Sequence, residues 1–169
     1  DEIERIPSPR WGFRLSTLAA GLACAGFAVL NQFGLATAAL VCMAAMLGQL
    51  VRAFLHKVHF NLIGITMAAS FVASSAFLLL DRVLPLASVV SPGFIAAVLF
   101  LIPGFPLFTS FVDLARFDFT AGIPRLFFAL EIIVVIMLTV SVVAMLSGTP
   151  QAQTAPVPKS AEFLVSGAL

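Results

Sequence analysis

Charged side chains are scarce in this sequence. Only 10% of the 169 residues are charged, while 61% are hydrophobic and the mean hydropathy is +1.12. A soluble domain needs charge to cover its surface, so this composition excludes water as the main solvent of the chain. Because about 20 apolar residues cross the hydrocarbon core of a membrane once, the length allows roughly five transmembrane helices.

Motifs for several other functions are also lacking. Lys and Arg form no basic patch and the net charge is +1, so nucleic-acid binding is not expected. No nucleophile signature, phosphate-binding glycine loop or cofactor motif occurs, so we expect neither an enzyme nor a cofactor. Cys24 and Cys42 lie in apolar segments and are interpreted as packing residues. His56 and His59 have no acidic or cysteine companions, which favours interfacial positions over a metal site.

The apolar stretches predict an all-α integral membrane protein with about five transmembrane helices. Residues 15–51 carry no charge, and a polar, glycine-containing segment at 31–34 interrupts them at the position expected for a tight turn. We therefore place helices at about 11–31 and 35–55, a third at about 60–80, and a fifth at about 124–146. Pro124 suits the first turn of that last helix.

The fourth apolar stretch, residues 83–112, is predicted to be broken. Pro85, Pro92-Gly93 and Pro103-Gly104-Phe105-Pro106 interrupt it. Proline removes a backbone donor and blocks the preceding helical turn. In lipid, the freed backbone groups are tolerated only where protein or a water-filled cavity surrounds them, so we expect one of these around the break.

The distribution of basic residues predicts the orientation in the membrane. Seven lie on one side and two on the other, namely Arg5, Arg10, Arg14, Arg52, Lys57, Arg116 and Arg125 against Arg82 and Lys159. The positive-inside rule then places the amino terminus in the cytoplasm and the carboxyl terminus outside. We expect 1–10 to be the cytoplasmic end of a longer amino-terminal region, 11–146 the transmembrane domain, and 147–169 a flexible extracytoplasmic tail.

Glu131 is the first candidate for chemistry. It lies ~10 Å along the fifth helix from Pro124, and a carboxylate at membrane depth is costly. Two interpretations stay open. Glu131 is either a proton-coupling group of a transporter, or a carboxylate near the interface that snorkels or bonds to a neighbouring helix.

The segment 101–125 is the second candidate. A proline and glycine break exposes carbonyls and a new helix amino terminus, which can bind ions or the charged groups of a zwitterion. Thr109 and Ser110 add hydroxyls at this break. The charged residues that follow belong either to a substrate or ion pathway at the break or to a cytoplasmic salt-bridge cluster that fixes the loop. They are Asp113, Arg116, Asp118 and Arg125. Elsewhere, Asn61 is the polar residue most expected to face a cavity.

The same segment resembles the hallmark sequence of a bacterial transporter family. Pro103-Gly104 is followed by Pro106-Leu107, Ser110, Asp113-Leu114, Asp118 and Gly122-Ile123-Pro124-Arg125-Leu126. This order is similar to that of the threonine/serine exporter family, and the resemblance covers about residues 11–146. Two positions differ from the usual pattern. Phe117 stands where glycine commonly precedes the aspartate, and Ala121 stands where serine is common before Gly122.

The resemblance implies a component of a secondary transporter in the bacterial cytoplasmic membrane. Similar proteins export threonine, serine or related small carboxylates, and the proton gradient is the expected driving force. They include a further four-span block, fused or separate, so a membrane partner and an oligomer are implied. The alternative is a non-transporting structural subunit that assembles a larger membrane complex.

The candidate residues can be stated by role. Glu131 and Asp113 are the candidates for proton coupling. The candidates for the substrate or ion pathway are Pro103, Gly104, Pro106, Thr109, Ser110, Asp113, Asp118, Gly122, Arg125 and Asn61. No residue is predicted to bind a metal.

Overall fold

A computed structural model of the protein describes residues 13–84 and 90–148, with side chains described at 14–84 and 93–148. These residues form six α-helices and a short 3-10 helix, without a β-strand, so the all-α prediction is confirmed for them. The helices are α1 (Phe13–Leu30), α2 (Leu35–Lys57), α3 (Leu62–Val83), α4 (Val90–Ala96), α5 (Gly104–Ala115) and α6 (Phe119–Ser147), and the 3-10 helix is Leu99–Leu101. The terminal regions 1–10 and 149–169, and Pro85, lie outside the described residues.

Three of the turns between helices share one geometry. The second residue after the helix end adopts a left-handed backbone, and the next amide bonds to a carbonyl five residues earlier, as in the Schellman motif. The left-handed residues are Gln32, His59 and Phe117, with φ of 60°, 56° and 62°. The closing bonds join Phe33 N to Ala28 O (3.0 Å), Phe60 N to Leu55 O (3.3 Å) and Asp118 N to Asp113 O (3.0 Å). The turn predicted at 31–34 is therefore confirmed.

Helix α2 lies between α1 and α3 and packs through small residues. Ala44, Ala45 and Gly48 are buried. A Cβ atom at Gly48 would lie 2.8 Å from Ala73 Cβ and 3.1 Å from the carbonyl oxygen of Ala69. Backbones that approach this closely gain dispersion contacts, which is how helices associate in lipid without a hydrophobic driving force.

Helices α3 and α6 run in the same direction. Near the end of α3, the Arg82 guanidinium donates to the carbonyl of Ser147, the last residue of α6, over 3.1 Å. Between α3 and α6, the chain returns to the end of the bundle where α3 begins. It does so in two helical segments, Gly93–Leu101 and Gly104–Ala115, which are bent by 65° relative to each other. The predicted break in the fourth apolar stretch is therefore confirmed.

Three of the described helices, α2, α3 and α6, are long and apolar enough to cross a membrane. The bent pair makes a fourth if its two parts form one span, and the apolar segment Arg14–Leu30 of α1 is shorter. Five spans with the amino terminus inside therefore stay a prediction.

Helix α6 begins earlier than predicted. It runs over 29 residues from Phe119, so the predicted start at 124 is wrong. The reason is a cap, because the Asp118 carboxylate accepts a hydrogen bond from the Ala121 amide over 3.3 Å. Pro124 lies inside the helix, where it leaves the Thr120 carbonyl without its helical amide partner.

Candidate substrate site at the helix break

The break before α5 is a tight turn centred on Pro103. Pro103 has φ −77° and ψ 68°, and the Gly104 amide donates to the Ile102 carbonyl over 2.8 Å, which is the geometry of an inverse γ-turn. Among the described residues, no backbone hydrogen bond runs from Phe105 to Leu101. The Leu101 carbonyl and the Phe105 amide are therefore open to other partners.

A cavity of about 320 Å³ adjoins this break. Its wall is formed by Arg52 of α2, Leu62 and Thr66 of α3, residues 100–106, and Phe128 and Ile132 of α6. Pro103, Gly104 and Pro106 are the candidate pathway residues that line it. The volume is at the lower end for small-molecule sites, roughly 300–1,000 Å³, and a mainly apolar wall with a few convergent polar groups is typical of such sites.

Arg52 is the cationic group of this cavity. The structure places it inside α2, five residues before the last residue of that helix and within the helix predicted at about 35–55. Its side chain is partly buried and makes no hydrogen bond or ion pair with another described residue. The sequence feature that could have indicated the position of Arg52 is Gly48. It lies four residues earlier on the same face of α2 and packs against α3.

A second cleft, of about 390 Å³, lies between α3 and α6. Apolar side chains and Thr139 line it, and the Thr139 hydroxyl donates to the Val135 carbonyl of its own helix over 2.8 Å. This cleft offers no charged group, so the cavity at the break suits a polar solute better.

The hydroxyls of α5 are engaged within their own helix. Thr109 donates to the Phe105 carbonyl over 3.0 Å, and the buried Ser110 donates to the Leu107 carbonyl over 2.6 Å. Neither residue lines the cavity. The structure therefore separates these two candidates from the break.

Asp113 and Arg125 form an ion pair of 2.6 Å between α5 and α6. Close by, a Cβ atom at Gly122 would lie 3.0 Å from Leu114 Cγ, so the two helices are in tight contact. Of the two interpretations open for these charges, this contact matches a cluster that fixes the loop. None of the three candidates, Asp113, Gly122 and Arg125, lines the cavity.

Asp118 and Asn61 both cap helices. The Asp118 carboxylate accepts hydrogen bonds from the Thr120 hydroxyl, over 2.8 Å, and from the Ala121 amide. These bonds, together with the positive charge of Arg125, lower the pKa of Asp118. Asn61 is exposed and accepts a hydrogen bond from the Ile63 amide over 3.3 Å at the start of α3. It is not among the residues that line the cavity.

Glu131 lies on an exposed face of α6. Twelve residues separate it from Phe119, which is about 18 Å along the helix at ~1.5 Å per residue. It makes no hydrogen bond or ion pair with another described residue, and it does not line the cavity, although its neighbour Ile132 does. Within this chain, the carboxylate and the cavity are therefore on different faces of α6.

The comparisons with known proteins agree with the motif around this break. The model of the family described as "Putative threonine/serine exporter" matches residues 1–147. The chain belongs to this family. No curated protein and no solved structure matches it. Family membership and the apolar helices together make the chain a multi-pass membrane protein of a transporter family.

Proposed function

We propose that the chain is a component of a secondary transporter that exports threonine, serine or related small carboxylates. The observation that carries this proposal is the cavity at the break, which combines a partly buried cation with open backbone groups inside an apolar bundle. Discontinuous helices of this kind form the substrate sites of many secondary transporters. Membership of the exporter family supports threonine or serine as the substrate.

The proposed location is the bacterial cytoplasmic membrane, with the amino terminus inside. Gln49 near the end of α2 donates to Ser16 near the start of α1, so these two helices are antiparallel, whereas α3 and α6 are parallel. Most of the described basic residues then share one end of the bundle, as the positive-inside rule requires. The cavity lies nearer this end, because Leu62 is the first residue of α3. Substrate would therefore enter from the cytoplasm.

Glu131 is the proposed proton-coupling carboxylate, and Asp113 is the second candidate. An ionised carboxylate is costly in hydrocarbon, so loss or gain of a proton changes the environment that Glu131 prefers. Asp113 is already engaged in an ion pair with Arg125, whereas Glu131 has no hydrogen bond or ion pair with another described residue. This difference favours Glu131.

The exposure of Glu131 also supports a membrane partner. The apolar side chains near it on α6, including Phe127 and Val134, are themselves exposed. Acidic residues within transmembrane segments almost always face other protein or a water-filled cavity. We propose that a four-span block, fused or separate, covers this face, and that the complete transporter is an oligomer.

Reconstitution tests the proposal. The chain is purified with the membrane subunit that accompanies it, inserted in vesicles, and supplied with labelled serine, threonine or succinate under an imposed pH gradient. We expect flux of at least one substrate that needs the second subunit and collapses when the gradient is removed. Flux that does not depend on the substrate, or no flux with both parts present, contradicts the proposal.

The exposed carboxylate of Glu131 also favours one alternative, in which the chain is a non-transporting subunit that assembles a larger membrane complex. Under that alternative, Glu131→Gln and Asp113→Asn leave transport by the complex intact, while a bulky residue on an outer helix face prevents assembly. Gly26 suits this test because nothing lies within 4 Å of a Cβ built there, whereas a Cβ at Gly64 would meet Phe60 of the same chain. Assembly is read from co-purification of the partner with Gly26→Leu.

A further inference from the structure

The guanidinium of Arg52 has no counter-ion among the described acidic residues. Asp113 is paired with Arg125, Asp118 caps α6, and Asp81 lies in the last turn of α3, at the opposite end of that helix from the cavity. Glu131 is exposed on another face of α6. A cation withdrawn from water into a mainly apolar cavity is stabilised when an anion occupies that cavity. The cavity is therefore suited to a ligand that carries a negative charge.

Two hydrogen-bond acceptors belong to the same wall. The Thr66 hydroxyl donates its hydrogen to the Leu62 carbonyl over 2.9 Å, so its oxygen can still accept a hydrogen bond. The Leu101 carbonyl accepts no backbone amide of α5, because Pro103 interrupts the helix. One cation and two acceptors around a single cavity match a zwitterion, which carries both a carboxylate and an ammonium group.

We propose that Arg52 binds the α-carboxylate of the transported amino acid in this cavity, while Thr66 and the Leu101 carbonyl accept hydrogen bonds from its ammonium group. The guanidinium fork matches a carboxylate with two parallel hydrogen bonds, which a lysine ammonium cannot reproduce. The inference rests on the transport function proposed above, but it concerns binding and is tested separately from transport.

The remaining wall is largely apolar. Phe100, Phe128 and Ile132 contribute large apolar side chains around about 320 Å³. This volume has room for a small amino acid such as threonine, serine or alanine. These three amino acids are therefore expected to compete for the cavity.

A ligand series on the wild-type protein tests the charge assignment without mutation. The full chain with its membrane partner is placed in lipid nanodiscs, and binding is measured calorimetrically for L-threonine, L-threoninol and 3-hydroxybutyrate. Threoninol lacks the carboxylate and should bind roughly tenfold or more weakly than threonine. The compound 3-hydroxybutyrate lacks the ammonium and should also bind more weakly. Equal affinity for threonine and threoninol overturns the proposal.

Variants then test which residue binds the carboxylate of threonine and which binds its ammonium group. Arg52→Gln should weaken threonine binding roughly tenfold or more and abolish the preference for threonine over threoninol. Arg52→Lys should restore part of the affinity and part of this preference. Thr66→Val should weaken threonine binding while leaving 3-hydroxybutyrate unaffected. Arg82→Gln, which removes a charge at the opposite end of α3, is the matched control and should bind like wild type. Circular dichroism and gel filtration identify any variant that fails to fold, and the ligand series then decides.

The outcomes separate this inference from the proposed function. If Arg52→Gln binds and exports threonine as wild type does, the carboxylate site is wrong and the transport function stands. If threonine binds in an Arg52-dependent manner but no substrate crosses the membrane, the site stands and the transport function is wrong. If the wild-type complex binds neither threonine nor another small carboxylate, both are wrong.

Discussion

Arg125 donates a hydrogen bond from its guanidinium to the Asp113 carboxylate over 2.6 Å, and this pair links α5 to α6 across the turn that contains Phe117. The Asp113 side chain is 22% exposed and that of Arg125 is 55% exposed, so water and salt screen the attraction. Asp113→Asn should therefore cost only about 0.5–1 kcal/mol of stability, measured by chemical unfolding in detergent. The exchange of both charges, with Asp113→Arg and Arg125→Asp together, should recover most of this loss. A change in proton stoichiometry in Asp113→Asn would instead identify Asp113 as the coupling site.

Gly122 packs tightly against α5. A Cβ atom there would lie 3.0 Å from Leu114 Cγ and 3.2 Å from the Leu114 amide nitrogen, so Leu114 and the backbone of α5 would have to shift by a few tenths of an ångström. We expect Gly122→Ala to destabilise the protein by about 1–3 kcal/mol, as overpacking does.

Gly26→Ala is the matched control for that substitution. Nothing lies within 4 Å of a Cβ at Gly26, and alanine favours a helix by roughly 1 kcal/mol over glycine. This variant should therefore be neutral or more stable when the thermal unfolding of both variants is measured. Equal effects of the two substitutions would contradict the close approach of α5 and α6.

Phe117 occupies a position where glycine is expected to be more stable. Its φ of 62° is left-handed, and this conformation costs a residue with a Cβ atom roughly 1–2 kcal/mol. Its ring is 80% exposed and meets Phe119 edge-on at 6.3 Å, so removal of the ring exposes little new surface. Phe117→Gly should raise the melting temperature, and Phe117→Ala, which keeps the Cβ atom, should not. Identical melting temperatures for the two variants would show that the turn carries no strain.

Asp118 should make the first turn of α6 sensitive to acid. The Thr120 hydroxyl and the Ala121 amide hold the pKa of Asp118 below its usual range. Because the folded pKa is lower than the unfolded pKa of about 3.9, the cap stabilises the helix above that value and is lost as pH falls through the folded pKa. The protection factor of the Ala121 amide, which is its exchange rate relative to that of the unfolded chain at the same pH, should fall over this range. In Asp118→Asn the cap persists without a titrating group, so the protection factor should stay constant.

Glu131→Gln should uncouple transport from the proton gradient. Glutamine keeps the size of the side chain but cannot gain or lose a proton, so gradient-driven export should stop while exchange of internal for external threonine continues. Glu131→Asp, which keeps an ionisable group, should retain part of the coupling. Export that still responds to the pH gradient in Glu131→Gln would move the coupling role to another residue.

Several elements follow directly from local sequence features. The uncharged stretch 15–51 and the polar residues at its centre predict the α1–α2 hairpin, because helix formation in an apolar stretch and chain reversal at a polar turn are local events. Proline at 103 predicts the break for the same reason, since its effect on the preceding turn needs no tertiary contact. The start of α6 is a local feature that Pro124 obscured, because the Asp118 cap lies six residues earlier.

The apolar composition, the helical hairpins, the broken fourth stretch and the motif shared with the exporter family are properties of the sequence itself. The tertiary structure decided which polar groups meet. Thr109 and Ser110 are close to the break in sequence, yet their hydroxyls bond within α5, whereas Arg52, about fifty residues away along the chain, lines the cavity there. The physical reason is that α2 meets the break only because Gly48 lets α3 and Phe100 approach it closely, and this approach depends on three segments that are distant in sequence.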